Sequence, residues 1–269
     1  MRRKENNKAT HGVGEWASHS VNIQSGCEKN CKYCYAKSMA IRFGRKTPSN
    51  WNKKPDLNEK AIGKGYRKRE GRIMYPTSHD ITPRNIEEYL TVLLKLLESG
   101  NEVLIVSKPT LPCIKRICEE CEAYKDQILF RFTIGSANDS VLKFWEPGAP
   151  MFQHRLDCLK LAYKNGFATS VSSEPMLDNR IDKVVTKTMP YVTDAIWLGR
   201  VNQLRQALSI NCPKDNVAKK RGDELLAKQT DTYLSELYES YKDDPKVKYK
   251  DSIKEAVGLE RPETVGLDI

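Results

Sequence analysis

Several absences narrow this 269-residue sequence before any motif is considered. No apolar run approaches the roughly 18 residues of a membrane-spanning helix. The first residues, 1–8, are basic and polar with no apolar stretch behind them, so they do not read as a secretory leader. Eight cysteines are present, but the chain is far longer than the small secreted scaffolds that depend on disulfides. These absences give an expectation of a soluble, cytoplasmic protein with reduced thiols, built as one large or two small domains. Acidic residues are in deficit too: 35 Asp and Glu face 45 Lys and Arg, a net charge of +10.

What is present centres on residues 25–36, which read S-G-C-E-K-N-C-K-Y-C-Y-A. Cys27, Cys31 and Cys34 form a C-x3-C-x2-C pattern with Tyr33 and Tyr35 on either side of the last cysteine. Three thiolates this close can hold three corners of a cubane iron-sulfur cluster. The fourth corner would then lack a protein ligand and stand open to a small molecule. A zinc site would need a fourth ligand, and the nearest, His11 and His19, lie upstream at spacings unlike a zinc finger. A zinc-bound nucleic-acid-binding module without catalysis is the alternative of another class.

Residues 42–72 carry eleven Lys or Arg against three acids, with Phe43, Trp51 and Tyr66 interleaved. Single-strand nucleic-acid grooves combine phosphate attraction with base stacking in this way. The competing reading is a solvated insertion whose charge aids solubility.

Strand and helix patterns alternate along the chain. Strands are expected at 18–24, 72–76, 102–107, 128–134, 167–172 and 195–198. The helices between them include one capped by Thr82 with Pro83 in its first turn, one over 112–125, and one over 150–165 with Tyr163 facing inward. Helical crossovers between strands imply a parallel, right-handed sheet. The fold expected is α/β, a partial (β/α)6 TIM-like barrel. Its organisation is an N-terminal arm (1–17), a core (18–212) and a helical C-terminal extension (213–269). Barrels of this kind place chemistry at the C-terminal ends of their strands. There the sequence puts the cysteine loop, Ser78-His79-Asp80, Lys108, Ser136-Ala137-Asn138, Ser173-Glu174-Pro175 and Gly199-Arg200.

The cysteine triplet, its tyrosine and its position near the N-terminus resemble the radical S-adenosylmethionine (SAM) superfamily. That resemblance implies a [4Fe-4S] cluster on Cys27, Cys31 and Cys34, whose open iron chelates SAM. The reduced cluster then cleaves SAM to methionine and a 5′-deoxyadenosyl radical, which abstracts hydrogen from a substrate. It further implies an external electron donor of flavodoxin or ferredoxin type, and we expect a monomer. Residues 77–80 stand where the superfamily often carries a glycine-glycine-glutamate segment. Their departure from it leaves Ser78, Asp80 or a backbone carbonyl to meet the SAM amino group. Tyr33 matches the aromatic position near the adenine. Ser136 and Asn138 match ribose or carboxylate contacts unless they cap the next helix, Glu174 is the candidate for a ribose hydroxyl, and Arg200 for the SAM carboxylate.

A narrower resemblance, to the spore photoproduct lyase-related group, rests on I-T-P-R-N at 81–85, T-I-G-S-A-N-D at 133–139, W-E-P-G-A-P at 145–150 with Arg155 following, and S-S-E-P-M-L-D at 172–178. It implies a nucleic acid or nucleotide substrate; a peptide-modifying enzyme or activase is the alternative within enzymes. The group's lyase uses an additional cysteine as hydrogen donor soon after the second strand, and none stands there. Cys113, just past the third strand, is the candidate thiol. Cys113, Cys118 and Cys121 could instead supply part of a second cluster or form an ordinary buried face. Arg155 is also a candidate structural partner of Glu146, and His79 reads as a surface turn residue.

Overall fold

A computed structural model of the chain describes residues 12–53, 55–261 and 263–266. His11 of the zinc alternative, Lys54 of the basic segment and most of the N-terminal arm lie outside the described residues. In chain order the elements are β1 (His19–Ser20), β2 (Gln24–Ser25), α1 (Tyr35–Arg42), β3 (Asp56–Leu57), α2 (Glu59–Gly63), β4 (Ile73–Met74), α3 (Ile86–Glu98), β5 (Val103–Ser107), α4 (Leu111–Glu120), β6 (Ile128–Thr133), α5 (Asp139–Trp145) and α6 (Phe152–Lys164). There follow β7 (Ala168–Ser173), α7 (Ile181–Thr188), β8 (Ile196–Leu198), α8 (Leu204–Asn211), α9 (Asn216–Lys228), α10 (Asp231–Tyr241), β9 (Val247–Tyr249) and α11 (Asp251–Val257).

Seven strands form one parallel sheet in the order β1-β4-β5-β6-β7-β8-β9. This is the partial TIM-like barrel, with one strand more than the six expected. β9 comes from inside the extension, which is therefore not purely helical. Its signal was K-V-K-Y-K after Asp244-Pro245, an alternation too short to stand out among charged helical segments.

The expected first strand breaks in two. β1 joins the sheet, while β2 pairs antiparallel with β3 from the basic segment. Between them the backbone N–H of Ile23 donates to His79 Nε2 at 3.2 Å, and Asn22 Oδ1 accepts from the N–H groups of Thr77 and Ser78 at 2.9 and 2.8 Å. Side-chain partners thus replace the ladder. The expected Thr82 cap is also displaced: Asn85 precedes α3 and its Oδ1 accepts from Thr82 N–H at 2.8 Å. The helix expected over 112–125 stops at Glu120 and tightens into a 3-10 turn, Glu122–Gln127.

The two faces of the sheet bury different things. Phe130 is fully buried against Phe132 and Phe167 in the layer under the helices, a burial worth about 1.5–3 kcal/mol per side chain. Tyr163 is instead 44% exposed, at the edge of that layer. The barrel interior is filled by Trp16, Trp197, Met74, Leu104 and Leu129. Arg131, fully buried, lies 4.7 Å from the Trp16 ring and 5.2 Å from Trp197 while pairing with Asp194 at 3.0 Å. That plug forms the floor below the C-terminal strand ends.

Candidate functional site

Above the plug a cavity of about 290 Å³ opens at the C-terminal strand ends. Cys27, Cys31, Cys34, Tyr33, Tyr35, residues 77–80, Lys108, Glu174 and Arg200 line it, with Gly12, Val13 and Trp16 closing one side. Cys27 and Cys31 are buried and Cys34 is partly so. Burial pushes the Cys27 thiol up to about 12 and raises Cys31 and Cys34 as well. Burial alone would lower the Lys108 ammonium, but Cys31, Glu146 and Asp80 around it more than reverse that.

The cysteine loop is held from three sides. Tyr33 donates its hydroxyl to Glu146 Oε1, and the other oxygen of Glu146 meets Arg155 Nη2 at 2.5 Å with both ionic side chains fully buried. Burial works against the Glu146 carboxylate, yet Arg155 and Lys108 overcome it and hold the group below the usual range. Arg155 also donates to the carbonyls of Pro150 and Thr133, at 2.7 and 3.0 Å. A buried ion pair needs such extra hydrogen bonds to offset its desolvation. The W-E-P-G-A-P turn also touches the loop through its backbone: Lys32 N–H donates to Trp145 O at 2.9 Å and Gly148 N–H to Lys29 O at 3.0 Å. A Cβ on Gly148 would stand 2.2 Å from Glu28 O, so glycine is required.

On the second side, Asn211 at the end of α8 donates to the carbonyls of Lys32 and Cys34, both at 2.9 Å. Its Oδ1 accepts from Ser38 Oγ at 3.1 Å. On the third, Trp51 is buried beside Cys27, Ala36 and Ala40, and its carbonyl accepts from Cys27 N–H at 3.1 Å. Trp51 is thus floor, not the base-stacking residue expected in the basic segment.

The remaining expected residues divide. Ser78 and Asp80 line the cavity, although the Asp80 carboxylate is engaged by Ser107 Oγ at 2.5 Å and by the N–H groups of Ile81 and Lys108. Glu174 lines it beside Lys250 Nζ at 3.5 Å, and burial pushes its carboxyl up to about 7. Arg200 lines it and pairs with Asp231 at 3.2 Å. Ser136 and Asn138 do not line it. Ser136 donates to Asp178, and Asn138 caps α5 by accepting from Ser140 N–H at 3.0 Å. Cys113, 1% exposed in the apolar core with Cys118, Cys121 and Cys158, is likewise absent from the cavity wall. His79 is buried, not a surface turn residue.

The basic segment is divided between the two ends of the barrel. Arg45 and Lys53 are exposed beyond α1, near the cysteine loop. Arg67, Lys68 and Arg69 instead sit against Ser99–Asn101, at the opposite, N-terminal ends of β4 and β5.

Sequence reasoning missed Asn211, Gly148 and Lys250. Asn211 closes a helix that follows the last expected strand, and Lys250 comes directly after β9, which the sequence pattern does not mark as a strand.

The donor set suits an iron-sulfur cluster. Cys27, Cys31 and Cys34 all line the one cavity, and a cubane takes three thiolates on three separate irons. Lys108 places a fixed positive charge beside the thiols, which ligation requires as thiolates. No helix among the described residues is long and apolar enough to cross a membrane.

Comparison with known proteins agrees. An uncharacterized protein of Methanocaldococcus jannaschii is 27% identical over 186 residues, 65% of this chain and 67% of its own length. An uncharacterized protein of Acidianus two-tailed virus is 28% identical over 178 residues, so the match spans 61% of this chain but 58% of the viral protein. Among solved structures, a spore photoproduct lyase variant with dinucleoside spore photoproduct superposes with a TM-score of 0.55 at 12% identity, covering 92% of this chain and 79% of that one. Streptococcus suis SuiB bound to S-adenosylmethionine gives 0.53 at 13% identity, covering 91% and 53%. At these identities the likeness shows the fold. The sequence model of the radical SAM superfamily matches residues 21–184, well over half of the sequence, and the chain belongs to that superfamily, whose members use a [4Fe-4S] cluster and S-adenosylmethionine.

Proposed function

We propose that Cys27, Cys31 and Cys34 hold the cluster, that SAM occupies the cavity between them and Glu174, and that the substrate is a nucleic acid or nucleotide. When bound, the reduced cluster and SAM supply a 5′-deoxyadenosyl radical for hydrogen abstraction. The chain's own residues orient and enclose. Glu146, Arg155 and Asn211 fix the cysteine loop, Ser78 and the carbonyls of residues 77–80 offer acceptors for the SAM amino group, and Arg200 offers a cation for its carboxylate. Trp16 and the interior plug exclude water from below. The electron comes from an external donor of flavodoxin or ferredoxin type.

The observation that carries the substrate class is the exposed stripe on α1. Tyr35 at the cavity wall, Met39 and Phe43 are 57%, 42% and 62% exposed. Spaced four residues apart on a helix, they run outward about 12 Å from the cavity. The helix carries no acidic residue, and Arg45 lies 5.8 Å from the Phe43 ring. Aromatic faces interleaved with Arg suit stacked bases and phosphates.

The test is anaerobic SAM cleavage in the presence of single-stranded oligonucleotides, nucleotides or peptides, with oligonucleotide affinity followed against salt. The reading expects oligonucleotides to raise turnover and affinity to fall steeply with salt. Reversing charge at Arg45 and Lys53 should weaken binding, while the same change at Arg67 and Arg69 leaves turnover intact. Stimulation by peptides alone, or no oligonucleotide binding at low salt, would remove this substrate class.

A further inference from the structure

A segment near the N-terminus, residues 12–16, and Lys250 from the C-terminal part of the chain meet at one wall of the cavity. Lys250 directly follows β9 and is fully buried. Its Nζ meets Glu15 Oε1 at 2.8 Å and Glu174 Oε2 at 3.5 Å, donates to Gly12 O at 3.0 Å, and lies 3.9 Å from the centre of the Trp16 ring. Gly199 permits this approach: a Cβ there would come within 3.0 Å of Lys250 Cβ and 3.1 Å of Glu174 Cγ. Glu174, Gly12 and Trp16 line the cavity, and Lys250 stands behind them. Glu15 and Lys250 both lie outside the 21–184 stretch matched by the superfamily.

An ammonium removed from water is costly unless paired. Glu15 alone, at 2.8 Å, provides that pairing. A second carboxylate within reach of the same ammonium therefore calls for another explanation, and this second carboxylate is the one facing the cavity.

We propose that Lys250 is a positioning residue: anchored by Glu15, its ammonium fixes the Glu174 carboxylate at the cavity wall as an acceptor for the hydroxyl groups of a bound nucleoside. The inference rests on the reading that the cavity binds SAM. Glu174 accepts two hydroxyls best when ionised. The charged and titratable groups around it are Lys250 from the junction of β9 and α11, Glu15 from the N-terminal segment, Asp251 from α11 and the Tyr35 hydroxyl from α1. Burial pushes the Glu174 carboxyl up to about 7, Lys250 pulls it down, and Glu15 and Asp251 push it up. Two substitutions should therefore move its ionisation in opposite directions. Lys250→Met removes the neighbouring cation and raises the pH at which Glu174 ionises, while Glu15→Gln removes an anion and lowers it.

The experiment measures SAM affinity without turnover, by equilibrium dialysis of labelled SAM against the anaerobically reconstituted full-length protein at pH values spanning about 6 to 8.5. The wild type should bind more tightly as pH rises through about 7. Lys250→Met should bind about tenfold more weakly at neutral pH, the loss expected for one charge-assisted hydrogen bond, with its midpoint at higher pH. Glu15→Gln should show a lower midpoint, and Lys250→Arg should restore the wild-type profile. Should Lys250→Met fail to fold, the Glu15→Gln midpoint and the Lys250→Arg profile decide. SAM binding with unmoved midpoints, or with both midpoints moved the same way, overturns the clamp alone. No SAM binding by the wild type overturns the cavity assignment and the clamp with it.

Discussion

Arg155 meets Glu146 at 2.5 Å with neither side chain exposed, and the free oxygen of that carboxylate accepts from Tyr33, between two of the three cysteines. The pair is a brace for the cysteine loop as much as a core contact. Glu146→Ala leaves a buried guanidinium unpaired, which costs about 3–5 kcal/mol. Urea denaturation should show that loss, and iron retained after reconstitution should fall with it. Unchanged stability and iron content would mean the brace is dispensable.

Asn211 ties the same loop to α8 through two donated hydrogen bonds. At about 0.5–1.5 kcal/mol each, Asn211→Ala should lose about 1–3 kcal/mol. Asn211→Asp should be worse, because a carboxylate would face two carbonyls. Hydrogen exchange at the loop amides is the direct reading: protection should fall in both variants, most in the Asp one.

Gly148 allows one turn to lie against another at 2.2 Å from where its Cβ would be. Gly148→Ala must push the cysteine loop away, at about 1–3 kcal/mol for overpacking. The expected signature is lower iron loading at near-normal secondary structure, measured by metal analysis and circular dichroism.

His79 should give the protein an acid sensitivity. Its Nε2 accepts from Ile23 N–H, and burial lowers its pKa from 6.5 to about 4. The unfolded chain therefore binds this proton first, and stability is lost as pH falls from about 6.5 to about 4. The full shift corresponds to about 3 kcal/mol. His79→Gln, which keeps an acceptor for Ile23, should flatten that part of the profile in urea titrations between those values. A profile identical to the wild type would contradict the assignment.

The sequence made the barrel and the thiol triplet legible because both are local. Strands such as Val103–Ser107 are continuous apolar runs, and C-x3-C-x2-C needs no tertiary information. What escaped depends on distant partners. The N–H of Ile23 turns from the ladder to His79 because a loop 56 residues later supplies the acceptor. β9 is three residues long and is a strand only because β8 lies beside it. Ser136 and Asn138 sit at the right strand end but spend their hydrogen bonds on Asp178 and the α5 N-terminus. Glu174 is legible from its place at a strand end, whereas Lys250 and Glu15 beside it come from distant segments and carry no local signal. A tryptophan in a basic segment looks the same in sequence whether it stacks on bases or, as Trp51 does, lies 2% exposed under the cysteine loop.

The central claim is that Cys27, Cys31 and Cys34 carry a cluster that activates SAM. Its most direct test is anaerobic reconstitution followed by reduction in the presence of SAM, comparing the wild type with Cys31→Ala and the core variant Cys113→Ala. The account predicts about four irons and four sulfides per chain and 5′-deoxyadenosine as product in the wild type and Cys113→Ala, with both lost in Cys31→Ala. Tightly bound zinc with no 5′-deoxyadenosine from the wild type, or an undiminished cluster in Cys31→Ala, would contradict it.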